Sequence, residues 1–332
     1  MDLEKLILND KGEYTKNITI IDSFTKAYSV INNPKYNRIL VSISGGADSD
    51  IMMDLIHRVD IDKKCIYVFF DTGIEYNPTY EHLDYLNERY GIRCWKKKAN
   101  IPVPLGIKKY GYPFLSKDVS KEIEMLQKYD FDFSDRPYDE LVKEYPKIKS
   151  AIAWWCNAKS GVRYNIKEYK WLKEYMIENP PSFKISPKCC DGAKKNMAKK
   201  LLMDLDPNFC FQLNVVGVRK AEGGARTRIK SCYKVSDYKY GYDTYYPLLW
   251  YSNEDKKEYE KIYRIVHSDC YTKWGFNRTG CACCPFGGKF EKELEVLKEN
   301  DRKLYNAVVN VFNKSYEYTR GYREFRRKMD GK

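Results

Sequence analysis

The sequence predicts an α/β protein, a parallel sheet flanked by helices, with a helical insertion and a Cys-containing helical C-terminal region. Three observations carry this. Apolar runs near 38–43 and over Cys65–Phe70 are each followed by a segment with helical apolar spacing. The resulting strand–helix–strand–helix order is the one that builds a parallel sheet. The first run also ends at Ser44-Gly45-Gly46, a turn suited to joining a buried strand to a helix N-terminus.

In chain order, a helix is predicted over about 20–31, a strand near 38–43 and a helix near 47–59. The second strand ends at Asp71-Thr72-Gly73 and a helix follows over 78–90. From about 104 to 205 the chain reads as helical and highly charged, punctuated by Pro102, Pro104, Pro113, Pro180 and Pro181, and is expected to form an insertion or lid. A strand returns over 211–217 and leads into Val218-Arg219. Residues 242–251 read as aromatic and β-like, 253–266 as helix, and 289–328 as amphipathic helix. Residues 1–250 are thus expected to form an α/β domain containing the insertion, and 251–332 a helical region carrying cysteines.

Composition narrows the class. No run of about 18 apolar residues exists, so no membrane span is expected. The Met-Asp-Leu-Glu-Lys start lacks a signal-peptide pattern, and a cytoplasmic location is expected. The net charge of +13 suits nucleic acid or small polyanions. An AT-rich genome would also enrich Lys, Tyr, Asn and Ile, and lysine far outnumbers arginine here. Eleven cysteines in such a chain argue against a disulfide scaffold. Cys65, Cys94, Cys156 and Cys210 stand singly and read as core thiols. Cys189-Cys190, Cys232, Cys270 and Cys281-Ala-Cys283-Cys284 gather in the second half.

The loop Ser44-Gly45-Gly46-Ala47-Asp48-Ser49 is a candidate phosphate cradle. Its glycines let the backbone approach a ligand, and the helix N-terminus adds unpaired N–H groups and a positive dipole end. It lacks the Gly-Lys-Ser/Thr ending of a Walker A loop. Asp48 would repel phosphate unless a cation lay between them, so Mg²⁺ is expected. Ligands of parallel sheets bind at the carboxyl ends of the strands, where both this loop and Asp71–Gly73 fall. Arg219 follows another strand end, where a guanidinium could hold phosphate or sulfate. The plain alternative for Arg219 and Arg226 is surface pairing with acids such as Glu222. None of His57, His82 and His267 is assigned to catalysis.

Taken in order, these elements resemble the phosphoadenosine phosphosulfate reductase family of the adenine-nucleotide alpha-hydrolase (PP-loop) superfamily. The loop, the Asp71-Thr72-Gly73 through Tyr80 segment, Gly217-Val218-Arg219-Lys220-Ala221-Glu222 with Arg226, and Tyr246-Pro247-Leu248 with Trp250 and Asp255 carry the resemblance. It implies nucleotide binding by Ser44, Gly45, Gly46, Ala47, Asp48, Ser49, Asp71, Thr72, Gly73, Gly217 and Arg219, and catalytic roles for Asp48, Arg219 and Arg226. Asp50 stands where the family's loop usually has Ser or Thr, and Gly223 and Gly224 where a Ser is usual.

Cluster-bearing family members place an adjacent Cys pair before a distant Cys-x-x-Cys pair, and Cys189-Cys190 with Cys281 and Cys284 resemble this. The resemblance implies a 4Fe-4S cluster, with Cys270 as a rival ligand. Zn²⁺ held by four cysteines is the alternative, as is a cluster on three cysteines; unliganded thiols are the plain reading.

Two reactions share the implied pocket. In one, an acceptor oxygen attacks the α-phosphorus of ATP, pyrophosphate leaves, and a sulfur donor then displaces AMP. In the other, a thiol reduces adenylylsulfate or its 3′-phosphorylated form. Residues 285–332 hold no cysteine. Thioredoxin-dependent sulfonucleotide reductases carry a nucleophilic one in a C-terminal Glu-Cys-Gly, which favours adenylation here. A nucleotide-binding partner subunit without turnover is a third reading. The implied partners are an adenine nucleotide, a DNA, RNA or small-molecule acceptor, and a cysteine desulfurase or thiol donor. A homo-oligomer is expected.

Overall fold

The structure, a computed structural model, describes residues 3–160, 165–205, 213–236 and 241–331. It opens with α1 (Leu3–Ile7) and α2 (Ile18–Ile31), then β1 (Ile39–Ile43), α3 (Ala47–Val59), β2 (Cys65–Asp71), α4 (Asn77–Tyr90) and β3 (Trp95–Lys98). A helical stretch follows: α5 (Val103–Tyr110), α6 (Lys117–Lys128), α7 (Tyr138–Glu144), α8 (Lys149–Trp155), α9 (Leu172–Glu178) and α10 (Asn196–Leu205). Then come β4 (Leu213–Val216), β5 (Tyr233–Lys234), β6 (Asp243–Tyr245), α11 (Asn253–Ile262), α12 (Asp269–Thr272), α13 (Phe290–Asn300) and α14 (Arg302–Asp330). The chain divides into two compact units, 1–99 with 194–281, and 100–193 with 282–332.

The first unit holds one sheet in the order β3-β2-β1-β4-β6-β5. All neighbours run parallel except β5, which pairs antiparallel with β6. β1 is central, with Ile39 opposite both Cys65 and Leu213. Its apolar residues alternate between two cores, as the period of a strand requires. Ile39, Val41 and Ile43 pack with Ile20, Phe24 and Ala27 of α2 and Ile51, Met52 and Leu55 of α3. Leu40 faces the other way and packs with Val68, Phe70 and Met197, Leu201 and Leu202 of α10. The sheet is therefore covered on both faces, the arrangement its apolar runs demand.

Several elements differ from the sequence reading. β3, with the sequence Trp-Lys-Lys-Lys, was not expected because its charge masks any strand pattern; it is an edge strand, where lysines are tolerated. α10 lies within the range read as an insertion, yet its apolar face covers the sheet. The β-like stretch 242–251 is strand only over Asp243–Tyr245. The tail splits at Asp301, whose carboxylate accepts the Leu304 N–H at 2.9 Å and starts a new helix. Residues 251–281, grouped by sequence with the C-terminal region, pack as part of the sheet unit. The start of the strand read over 211–217 lies outside the described residues.

The second unit is helical around its own apolar core, with Phe114, Ile123, Leu126, Trp155, Leu172 and Met176 packed with Tyr322 of α14. The Trp155 indole N–H donates to the Ser134 carbonyl at 2.9 Å, so the largest core side chain leaves no polar atom unmatched.

In the sheet unit, α3, α4 and α11 are tied by one buried carboxylate. Asp54 receives Arg58 Nε at 2.8 Å, the Tyr259 hydroxyl at 2.8 Å and the Tyr90 hydroxyl at 3.0 Å. Replacing Asp54 by Ala strands a half-buried guanidinium, the buried Tyr259 hydroxyl and the half-buried Tyr90 hydroxyl. The expected loss is about 3 kcal/mol or more, read as a lower urea midpoint with unchanged slope.

Candidate functional site

The β1–α3 loop is shaped by two glycines. Gly45 has φ +66°, and a Cβ there would lie 2.7 Å from Thr79 Cγ2 on α4. Gly46 caps α3 without a side-chain hydrogen bond, and a Cβ on it would meet Ser44, Thr279 and Tyr271 oxygens at 3.2–3.3 Å. The loop is braced from within. The Ser44 N–H donates to Ser49 Oγ at 3.0 Å, and the Gly46 N–H to Ser44 Oγ at 3.3 Å. The Tyr271 hydroxyl receives both the Ala47 N–H at 3.2 Å and the Thr279 N–H at 3.1 Å. Gly217, at the exit of β4, must also be small, since a Cβ there would sit 3.2 Å from the Asp48 carbonyl.

Asp48 is engaged by two cations. Arg219 Nε donates to Oδ2 at 2.9 Å, and Lys256 Nζ lies 2.9 Å from Oδ1. Arg219 is nearly buried and its remaining donors are directed: Nη1 reaches the Ser252 carbonyl and Asn253 Oδ1, both at 3.2 Å. Ser252 and Asp255 form a reciprocal cap at the start of α11, which holds that carbonyl and Lys256 in place. The acid in the loop is thus neutralised by side chains of the protein itself, where the sequence reading called only on a metal ion. Arg226 pairs with Glu222 at 3.1 Å, and Glu222 accepts the Arg219 N–H at 3.2 Å.

These groups surround a cavity of about 410 Å³. Ser44, Gly46, Ala47, Asp48, Ser49, Gly217, Arg219 and Arg226 line it, so most of the sequence-predicted residues converge. Lys256, Tyr271, Arg278 and Thr279 line it too and were not foreseen. Four cations face two carboxylates, which suits an anionic ligand.

Asp71, Thr72 and Gly73 are outside that lining. Asp71 at the end of β2 accepts the Gly73 N–H at 2.8 Å and the Tyr80 hydroxyl at 3.0 Å. Thr72 donates to the buried Glu75 at 2.6 Å, and the Cys281 thiol lies 3.4 Å from Thr72 Oγ1. Burial pushes Glu75 above the usual carboxylate range.

Asp50 has no exposure to solvent and does not face the cavity. Its carboxylate sits between two histidines, 2.7 Å from His267 Nδ1 and 3.0 Å from His82 Nε2. His267 Nε2 is 2.9 Å from Glu260, which is 3.6 Å from Lys256. A charged chain therefore runs from Asp50 through His267, Glu260 and Lys256 to Asp48. Neither histidine was assigned a role from sequence, where Asp50 stood out only as a departure from the family's loop.

The cysteines lie in both units. In the sheet unit, Cys270 is fully buried, and burial raises its thiol to about 11. In the helical unit, Cys189 is buried, with its Cα 3.4 Å from where a Cβ on Gly106 would stand. The Cys283 carbonyl accepts the Tyr316 hydroxyl at 2.6 Å, and the Cys284 carbonyl accepts the Gly287 N–H at 2.7 Å. Within either unit, among the described residues, no three His, Cys, Asp or Glu side chains form a group that could hold a metal. Burial raises Cys94 to about 11 and Cys65 and Cys156 above their ordinary value, as core thiols should behave. Cys210 lies outside the described residues.

His267 carries a testable charge. Burial opposes protonation, but the hydrogen bonds to Asp50 and Glu260 outweigh it and raise the imidazole from 6.5 to about 9. A raised folded-state value means stability is full below about 6.5 and lost as pH rises through about 9. Melting temperature should therefore fall across that alkaline window. His267→Gln should melt lower at neutral pH and show a flatter decline.

Residues 38–149 match the family model for the phosphoadenosine phosphosulfate reductase domain. An uncharacterized 37.8 kDa protein of Escherichia phage 186 is 26% identical over 288 residues, covering 82% of this chain and 72% of that protein. Among solved structures, a phosphoadenylyl-sulfate reductase from Candida auris in a phosphate complex shares 12% identity, covering 78% of this chain and 87% of its own, with a TM-score of 0.41. The U34-tRNA thiolase NcsA from Methanococcus maripaludis with its 4Fe-4S cluster shares 15% identity, covering 98% of this chain and 85% of its own, with a TM-score of 0.39.

Proposed function

Residues 38–149 are a domain of the phosphoadenosine phosphosulfate reductase family, and from that premise we propose that this chain adenylates an acceptor with ATP and thereby prepares it for sulfur transfer. The observation that supports this best is Asp48, held between Arg219 and Lys256 at the mouth of a glycine loop and a helix N-terminus. Those cations and the first-turn amides of α3 bind the β- and γ-phosphates. The α-phosphorus is left towards the open cavity, where Arg226 and Arg278 stabilise charge on its oxygens.

An acceptor oxygen attacks the α-phosphorus. The bond to the bridging oxygen of the β-phosphate breaks, and pyrophosphate leaves with that electron pair. The acceptor oxygen, now esterified to AMP, has become a good leaving group. A sulfur nucleophile from a cysteine desulfurase or thiol donor then displaces AMP. The chain's own part is positioning and charge neutralisation. Mg²⁺, when bound, would add neutralisation at the phosphates, with Asp48 as the available carboxylate. That carboxylate fits such a role, since Oδ1 is buried and lacks an aligned hydrogen bond.

For Cys189, Cys190, Cys270, Cys281 and Cys284 the proposal is a 4Fe-4S cluster, with Zn²⁺ as the alternative. The thiols are the right donors, but neither unit by itself brings three of them together. No step above uses them. Anaerobically purified protein that is brown and contains iron and sulfide, both lost in Cys284→Ser, supports the cluster. Colourless protein with stoichiometric zinc selects the alternative.

The reaction is tested by pyrophosphate release from ATP. Wild-type protein should release it, and Asp48→Ala and Arg219→Ala should each lower kcat/KM by about 100-fold or more. If ATP is untouched while adenylylsulfate yields sulfite with a thiol, the chain is a sulfonucleotide reductase instead. If neither nucleotide is bound, both reactions are ruled out; ATP bound without turnover selects the partner subunit.

A further inference from the structure

The last helix concentrates a residue that the rest of the chain uses sparingly. Arginines number 16 against 43 lysines, yet Arg320, Arg323, Arg326 and Arg327 fall within eight positions. A bias towards lysine codons does not produce that cluster. Arg320, Arg323 and Arg327 follow the i, i+3, i+7 spacing of one helix face, and Arg326 lies beside them. With Glu291 of α13 and Asp330 they line a cavity of about 500 Å³ in the helical unit.

The two acids in this groove are already matched. Glu291 holds Arg320 in a fork, Nε at 3.0 Å and Nη2 at 2.8 Å, and lies 3.8 Å from Arg323. Asp330 accepts Lys170 Nζ at 2.5 Å and the Trp171 indole N–H at 2.9 Å, with Arg326 at 3.6 Å. Glu324 is matched by Lys328 at 2.9 Å. Arg327 has no carboxylate partner among the described residues. Four arginines and Lys170 therefore face two carboxylates, an excess of three positive charges. Guanidinium groups present flat donor forks that fit phosphate oxygens in pairs.

Trp171 supplies a second kind of surface. It takes a left-handed φ of 63°, held there by the indole bond to Asp330 and with Lys170 Nζ 5.9 Å from its ring. It belongs to none of the apolar clusters among the described residues. A strained backbone that presents a half-buried indole beside an arginine row is not explained by core packing.

We propose that this groove binds single-stranded nucleic acid, with the arginines on successive phosphates and a base stacked on Trp171. Arg320 stays with Glu291, and the remaining row from Arg323 to Arg327 runs roughly 6 Å along the helix, enough for two neighbouring phosphates. An aromatic platform adds affinity only where bases are unstacked, which favours a single strand over a duplex. As a nucleic-acid site the groove stands on its own geometry. As the place where an acceptor binds, it rests on the adenylation reading above.

The test is fluorescence anisotropy of a labelled mixed-sequence single strand, DNA and RNA in turn, with the full-length chain at several salt concentrations. Wild type should bind, with a salt slope losing about 0.7 for each phosphate contact removed. The double variant R323E/R327E should weaken binding at least tenfold and flatten that slope, with an unchanged circular dichroism spectrum. Trp171→Ala should weaken it roughly five- to 100-fold and Trp171→Phe should restore most of the loss. Wild-type affinity in R323E/R327E overturns the proposal. So does a duplex that binds as tightly as the single strand, or inorganic polyphosphate binding where the oligonucleotide does not. Pyrophosphate release by the same wild-type preparation separates the two readings. Strand binding without ATP turnover overturns only the adenylation; ATP turnover without strand binding overturns only this site.

Discussion

The first turn of α3 carries two carboxylates, Asp48 and Asp50, and Asp50 has no access to water. An ionised carboxylate in that position is costly unless it is paired and hydrogen-bonded. The helix dipole favours acids at this end but is worth only about 1 kcal/mol. The remaining compensation comes from far along the chain. His267 hydrogen-bonds Asp50 at 2.7 Å from the segment after α11, while His82 of α4 lies 3.0 Å away without an aligned hydrogen bond. Arg219 reaches Asp48 from the exit of β4, and Lys256 from α11. Four separate parts of the sheet unit are thereby drawn to one loop, and of these four side chains Arg219 and Lys256 line the cavity.

Backbone approach is the second constraint, and it works with the first. Gly45 sits against Thr79 on α4, and Gly217 against the Asp48 carbonyl. A Cβ at Gly45 would strain its left-handed backbone and displace the Thr79 methyl, and one at Gly217 would crowd the Asp48 carbonyl at 3.2 Å. The brace at Tyr271 depends on the same closeness, since one hydroxyl serves the amides of Ala47 and Thr279. Small residues, a helix terminus and paired charges are therefore parts of a single arrangement.

Much of this was legible in sequence because it is local. Apolar runs at β1 and β2, the glycine loop between β1 and α3, and an arginine after a strand end all leave marks within a few residues. Asp50 was visible as an oddity of the loop, though not its reason. Lys256 was not legible, being one of 43 lysines on a helix with no special spacing. His82 looked like an ordinary helix residue, and His267 carried no local signal. β3 was hidden by its three lysines, and α10 by the charged stretch before it.

The sequence by itself determined the strands β1 and β2 and the helices after them, the parallel pairing at the centre of the sheet with helices on both faces, and the place of the glycine loop. Those follow from the period of apolar residues and from glycine's freedom, which act over a few positions. Only the tertiary structure decided what answers the charges on that loop. It gave Asp48 an arginine and a lysine, sent Asp50 inward to two histidines, and left Asp71–Gly73 outside the cavity. Charge compensation acts through space, between residues that are more than 150 positions apart in the cases of Arg219, Lys256 and His267. No local pattern can encode it.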